Sequence, residues 1–338
     1  MKHRGVVIII AVLVIGLVAN MGLAQDKKYT LRFNTVGGPN EPQTLSMQKF
    51  ADVVGNLSGG NIEVKVFHSG QLADQKTSIL GIMRGSGALE MSSDASPSWF
   101  ADLADYPEIG VLEAAYVYRD IDHAYRVLLG PFGQKYWDAL AEKSGIRVLD
   151  VWYLGTRQLD LTEKAGPVKT PEDLEGIKLR MPNSEAWLNV GRALGANPTP
   201  LGFGEVYMAL KTGTIDGQDN PLPTDFSEKF YEVTHYIVLT DHVIAFIMPI
   251  INEDLWQEMP EKYRVYIKKA LQVARYHQNR MVLEQEAELI GKFEKEFGME
   301  IIIPDKQAFM EHAKEFYSQD KFQEMWGEGM YSKIQTME

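Results

Sequence analysis

Arg180 stands in the run Lys178-Leu179-Arg180-Met181-Pro182-Asn183. Strand alternation puts Leu179 and Met181 on one face and Arg180 on the other. A guanidinium on the far face of a buried strand is costly unless an acid meets it. Pro182 stops the ladder, so Arg180 falls near a strand end, where open α/β sheets gather their ligands. Its planar, always-charged fork suits a carboxylate held by two parallel hydrogen bonds. Taken alone, the strand favours a solvated or ion-paired arginine, the commoner fate of this residue.

Position depends on the surrounding elements. Alternation and punctuation predict strands over 29–34, 62–67 and 89–93, with helices over 43–57 and 72–84 between them. That β-α-β-α-β order implies a parallel sheet with helices on its faces. A second unit starts with an apolar strand over 148–154, with Gly155-Thr156-Arg157 just beyond it. Thr170-Pro171-Glu172-Asp173 reads as a helix start. Helices follow over 185–194 and 203–211, and short and long strands over 215–219 and 243–251. Apolar residues keep helical spacing over 261–297, a length that suits a helix bridging two domains. No repeat or flexible linker separates the units, so the chain is expected to cross between them more than once.

The 338 residues include 45% hydrophobic and 24% charged residues, a globular balance with room for two domains. Lys2, His3 and Arg4 precede an apolar stretch over 6–18, and small Gly22 and Ala24 mark a signal-peptide cleavage after residue 24. An uncleaved anchor is the alternative, because residues 5–24 are nearly long enough to span a bilayer. The chain has no cysteine, which excludes a disulfide scaffold, a thiolate nucleophile and a lipid-anchored cysteine. An exported, soluble chain of this kind fits a Gram-negative periplasm. The formal charge of -12 makes it a poor partner for nucleic acid or an anionic membrane.

Several catalytic signatures are absent. There is no Gly-x-Ser-x-Gly, His-Glu-x-x-His, phosphate-binding loop or acidic calcium loop. The histidines are scattered, and no pair of carboxylates is marked for acid–base work. No cofactor or metal is expected, and the chain is expected not to be an enzyme.

Four ordered motifs then point to one family. They are Gly155-Thr156-Arg157-Gln158; Leu174 through Asn183; Pro198 through Leu210; and Thr214-Ile215-Asp216-Gly217-Gln218-Asp219-Asn220-Pro221. Together they resemble the extracytoplasmic solute receptors of TRAP transporters, the DctP family. The N-terminal half agrees more loosely, through Phe50-Ala51-Asp52-Val53-Val54 and Gly70-Gln71-Leu72. The resemblance implies a bilobal α/β fold of the periplasmic binding protein type. Two mixed-sheet domains, with helices on both faces and a long bridging helix, are expected as 27–154 plus 246–285 and 155–245 plus 286–338. It also implies a monomer that hands a small organic acid to small and large membrane subunits.

The resemblance implies roles for particular residues. Arg180 is the bidentate clamp, Arg157 a second cation, and Asn220 a donor to the same carboxylate or its neighbour. Arg157 as a salt bridge to Asp160 or Glu163 is the competing reading. Phe203 packs against the ligand in sialic-acid-binding members, where Asn183 and His242 also match polar pocket positions. Asp219 replaces the usual glutamate and is expected to orient the arginines. Glu41, Gln75 and Asp94, with Ser92 and Ser93, are candidates to meet ligand hydroxyls. That polar set favours a uronate, aldonate or sialic acid, whereas a C4-dicarboxylate needs a further cation. A secreted enzyme or a purely sensory binding protein on the same scaffold are the other function classes.

Overall fold

The computed structural model describes residues 27–338; the leader expected over 1–24 lies outside them. The architecture is mixed α/β around an open sheet of ten strands. The strands are β1 (Tyr29–Asn34), β2 (Ile62–Phe67), β3 (Met91–Ala95), β4 (Ile146–Val148), β5 (Trp152–Leu161), β6 (Lys178–Met181), β7 (Asn197–Pro200), β8 (Gly217–Pro221), β9 (Tyr236–Asn252) and β10 (Glu300–Ile302). The main path runs β2-β1-β3-β9-β5-β8-β6-β7, with β4 and β10 also paired to β9.

The β1–β2 and β1–β3 pairs are parallel, as a strand–helix–strand order requires. The two halves of the sheet meet on β9. Its C-terminal part pairs antiparallel with β3 and β4, and its N-terminal part pairs with β10. β5 lies antiparallel beside most of β9 and joins it to β8. The two expected sheets are therefore continuous through a shared pair of long strands.

Two irregularities in that pair shape the site. β5 slips register at Gly155, whose φ is +133°. A side chain there would put its Cβ 2.5 Å from the Pro221 Cβ, so glycine is needed for the approach of β8 as well as for the backbone. Glu286 pins the bulge, its Oε1 accepting from the Thr156 amide at 2.7 Å and from the Tyr153 hydroxyl at 3.0 Å. Farther along, pairing jumps from Arg157–Val243 to Leu159–Val238. Residues 239–242 thus bulge out of β9 and bring His242 beside β8.

The helix Glu261–Phe297 is the bridge the spacing predicts. Its first half buries Tyr263, Ile267, Leu271 and Ala274 with Leu31, Phe33 and Phe50. Its last turns bury Leu289 and Phe293 with Leu222, Ile237 and Met299.

Boundaries differ from the sequence reading where turn chemistry was misjudged. The strand expected over 148–154 is two strands, and Gly155-Thr156-Arg157 lies inside β5, because the glycine makes a bulge and not an end. The strand expected over 215–219 instead includes Asn220 and Pro221, since Pro221 is the last residue of β8, with no ladder beyond it to supply. Thr170-Pro171 opens only a short 3-10 turn, Pro171–Leu174. Residues 94–147, left without elements by pattern alone, contain four helical segments: Pro97–Leu103, Pro107–Glu113, Ile121–Leu129 and Pro131–Ser144. No helix among the described residues is long and apolar enough to cross a membrane.

Candidate functional site

A cavity enclosing about 600 Å³ of atom-free space, part of it open to solvent, lies where the ends of β1, β3, β6 and β8 meet β5 and β9. Seven expected residues line it: Glu41, Gln75, Asp94, Arg157, Arg180, Phe203 and Asn220. Asn183 is exposed and lines an adjoining cavity, which shares Gln75, Arg180 and Phe203 with the first. Asp219 and His242 line neither and stand behind Arg157.

Arg180 is 1% exposed, turned away from the core face that takes Leu179 and Met181. Its Nε and Nη2 both donate to the Leu201 carbonyl, at 3.0 and 2.8 Å. No carboxylate among the described residues lies within ion-pair distance of it. Burial pulls its pKa down to about 9, against the opposing field of Asp219. The group therefore remains cationic at neutral pH. Its guanidinium lies 5.9 Å from the Phe203 ring centroid, and that ring packs edge-on to Phe230.

Arg157 is held very differently. Its Nε donates to Asp219 Oδ2 at 2.6 Å, and its Nη2 donates to Oδ1 at 3.1 Å and to the Asp219 carbonyl. The competing reading, a salt bridge to Asp160 or Glu163, names the wrong acid, because β5 and β8 are neighbours and place Asp219 across from Leu159. The guanidinium also covers the Trp187 ring, 4.6 Å from its centroid. His242 Nε2 meets Asp219 Oδ2 at 3.0 Å, and its Nδ1 meets the Thr240 hydroxyl at 2.8 Å. Burial alone would raise the Asp219 carboxyl, but Arg157 and His242 outweigh it and hold that carboxyl well below the usual range. Arg157 is thus neutralised within the protein, whereas Arg180 is not.

Asn220 Nδ2 donates to Gln218 Oε1 at 2.5 Å. Gln218 Nε2 in turn donates to Asp225 Oδ1 at 2.8 Å and Asp160 Oδ2 at 3.3 Å. That chain orients the asparagine amide, whose oxygen accepts no hydrogen bond from the described residues.

The opposite wall is acidic. Asp94 Oδ1 accepts from the Thr35 hydroxyl at 2.9 Å and the Val36 amide at 3.0 Å, and Gln75 Nε2 donates to the Asp94 carbonyl at 2.7 Å. Glu41 Oε1 accepts from the Thr224 hydroxyl at 2.7 Å, while its buried Oε2 has no hydrogen-bond partner among the described residues. Ser92 and Ser93 are buried beneath this wall and do not line the cavity. Glu113, which sequence reasoning missed, also lines the cavity, as do Trp99 and Trp187. A signal for it exists: Glu113 is the lone charge in the apolar run 109–118.

Burial raises Glu41 to about 7, Asp94 to about 6 and Glu113 to about 7. The folded state therefore holds protons that the unfolded chain, with carboxyls near pH 4, releases. Stability of the unliganded protein should rise as pH falls from 8 toward 5. Asp219 opposes this only below about pH 4, where its unfolded form begins to protonate. Calorimetric melting across that range checks the sign; a melting temperature that falls steadily from pH 8 to 5.5 would contradict these buried acids. Among the described residues, no group of three or more histidine or acidic side chains is arranged to hold a metal.

Comparison with known proteins agrees with this architecture. The family model "Bacterial extracellular solute-binding protein, family 7", DctP, matches residues 33–324. The chain is 33% identical over 331 residues to the sialic acid-binding periplasmic protein SiaP of Vibrio cholerae, covering 98% of both chains. A TRAP periplasmic solute-binding protein from Roseobacter denitrificans, solved with bound 3-deoxy-D-manno-oct-2-ulosonic acid (KDO), superposes with a TM-score of 0.84 at 35% identity. It covers 91% of this chain and 99% of that one. One from Sulfurospirillum deleyianum, solved with bound succinate, gives 0.83 at 29% identity, covering 92% and 100%. All three are binding proteins and none is an enzyme. An open mixed sheet, a polar cleft where its halves join, and a match running through nearly the whole described chain give one conclusion: the protein belongs to family 7 of the bacterial extracellular solute-binding proteins, the periplasmic receptors of TRAP transporters.

Proposed function

We propose that this receptor binds a hydroxylated sugar acid and delivers it to the membrane subunits of a TRAP transporter. The observation that carries the reading is Arg180: a buried guanidinium whose only hydrogen-bond partner among the described residues is one carbonyl oxygen. A ligand carboxylate supplies the missing charge and two parallel bonds, each worth roughly 1.5–3 kcal/mol. Arg157 lends a second donor edge, Asn220 its amide, and Phe203 a ring for the carbon chain. Glu41, Asp94 and Gln75 meet hydroxyls, which donate to a carboxylate and accept from a protonated acid equally well. Asn183 and His242 are assigned supporting places, and Asp219 holds Arg157.

The two lobes are taken as 27–154 plus 246–285 and 155–245 plus 286–338, acting as a periplasmic monomer after loss of the leader. The bond from Glu41 to Thr224 then spans the cleft as a closure contact. Succinate in one relative supports a C4-dicarboxylate as the second reading. The acidic wall weighs against it, because among the described residues a second carboxylate has no further unpaired cation in the cavity lining to meet.

Thermal-shift measurement against KDO, N-acetylneuraminate, galactonate, gluconate and succinate tests the reading. A ligand at a hundred times its Kd adds about 2.7 kcal/mol of stability, a shift of several degrees. A sugar acid should give the largest shift. A protein stabilised by neutral sugars, or by no acid in the panel, would overturn the assignment.

A further inference from the structure

We infer that Glu113 restricts this pocket to ligands with a single carboxylate, so that aldonates are accepted and the aldarates of the same carbon skeleton are rejected. The inference rests on the sugar-acid reading of the cavity and refines it.

Glu113 ends the 3-10 helix Pro107–Glu113 and is 4% exposed, yet it lines the same cavity as Arg157 and Arg180. Its Oε2 accepts from the Ser96 hydroxyl at 2.6 Å and the Ser98 amide at 2.8 Å. Those bonds fix the carboxyl against the start of the helix Pro97–Leu103 and leave Oε1 for an occupant. No lysine, arginine or histidine among the described residues forms an ion pair with it. Neither donor it serves needs an acid, since a glutamine oxygen would accept from both. A buried carboxyl without a counter-ion is unfavourable to the fold, which points to a role toward the ligand.

That role follows from the charges facing the cavity. Arg157 commits Nε and Nη2 to Asp219, whose ionised carboxylate already balances it. Glu113 lies close enough to Arg157 for the two charges to be felt, so it removes what field Arg157 would offer a second anion. Among the described residues, Arg180 is then the one uncompensated cation lining the cavity. A hydroxyl fits beside Glu113 in either protonation state, donating to the carboxylate or accepting from the acid. A second ligand carboxylate meets repulsion, or must wait until Glu113 has taken up a proton. Like-charge juxtaposition in a desolvated site is a strong means of rejecting a wrong partner.

Calorimetric titration with matched pairs, galactonate with galactarate and gluconate with glucarate, tests this in the wild type, Glu113→Gln and Glu113→Met. The wild type should favour the aldonate at pH 7.5. The ratio of aldarate to aldonate Kd should fall about fourfold in both variants at pH 7.5, the limit set by proton uptake on Glu113, and by more at pH 8.5. Glutamine keeps the acceptor for Ser96 and Ser98; methionine, of similar length and apolar, gives the same readout should the glutamine protein fail to fold. A ratio unchanged within about twofold in the folded variants overturns the role of Glu113 and leaves the receptor reading intact. So does a wild type that binds aldarates as tightly as aldonates. A wild type that binds neither pair overturns the selectivity, and if it also fails to bind every other acid of the panel, the sugar-acid reading falls with it.

Discussion

Arg180→Met should lose sugar-acid binding by at least about a hundredfold, while the unliganded protein melts no lower than the wild type. Truncating one member of a buried, hydrogen-bonded charge pair usually costs about 2–5 kcal/mol of binding. Here the loss belongs to the ligand, because no carboxylate among the described residues pairs with Arg180 to be left behind. The same fact decides the stability. A buried guanidinium resting on the Leu201 carbonyl is a desolvated charge with little return, and its lowered pKa expresses that penalty. Methionine has a comparable stem, adapts to the gap beside Phe203 and removes the charge. Titration calorimetry and a ligand-free melt measure the two halves separately. Arg180→Lys keeps the charge without the fork and should fall between the two proteins in affinity. Binding of the methionine variant within about threefold of wild type would show that the carboxylate sits elsewhere.

The placement of Arg180 at a strand end was legible from local signals, whereas its reading as a clamp came only from the family resemblance. Alternation turns Arg180 away from Leu179 and Met181, and Pro182 ends the strand beside it. The long helix was equally legible, since its apolar spacing runs through both ends. What pattern could not supply was anything set by contacts between distant strands. Arg157 looked like a residue beyond a strand end because glycine reads as a stop, whereas Gly155 is a bulge inside a ten-residue strand. Its true partner, Asp219, lies 62 residues away and is chosen by the β5–β8 register. His242 arrives beside that pair only through the excursion of residues 239–242 from β9, which leaves no periodic trace. Glu113 was passed over for a different reason: a short 3-10 segment has no amphipathic repeat to flag it.

Asp219→Ala should be the opposite of the Arg180 change: a large loss of stability, about 3–5 kcal/mol at pH 7. Asp219 is fully buried, and Arg157 Nε, Arg157 Nη2 and His242 Nε2 all converge on its carboxylate. Removing it strands a buried guanidinium over Trp187 and frees the histidine that braces the β9 excursion. A loss of that size corresponds to a melting temperature lower by roughly 5–8 °C. Asp219→Asn keeps an acceptor without the charge and should lose less. The pH dependence separates this mechanism from simple loss of packing. The folded Asp219 carboxyl titrates below its unfolded value, so its stabilisation is complete above about pH 4 and fades as pH falls through the folded pKa. The gap between wild type and variant should therefore be constant from pH 5 to 8 and narrow only in stronger acid. Arg157 carries the consequence into the cavity. An arginine released from Asp219 brings a second unpaired cation to the pocket lining, so the destabilised variant should also discriminate less against dicarboxylates. An alanine protein within about 1 kcal/mol of wild type at pH 7 would mean that Arg157 does not depend on Asp219.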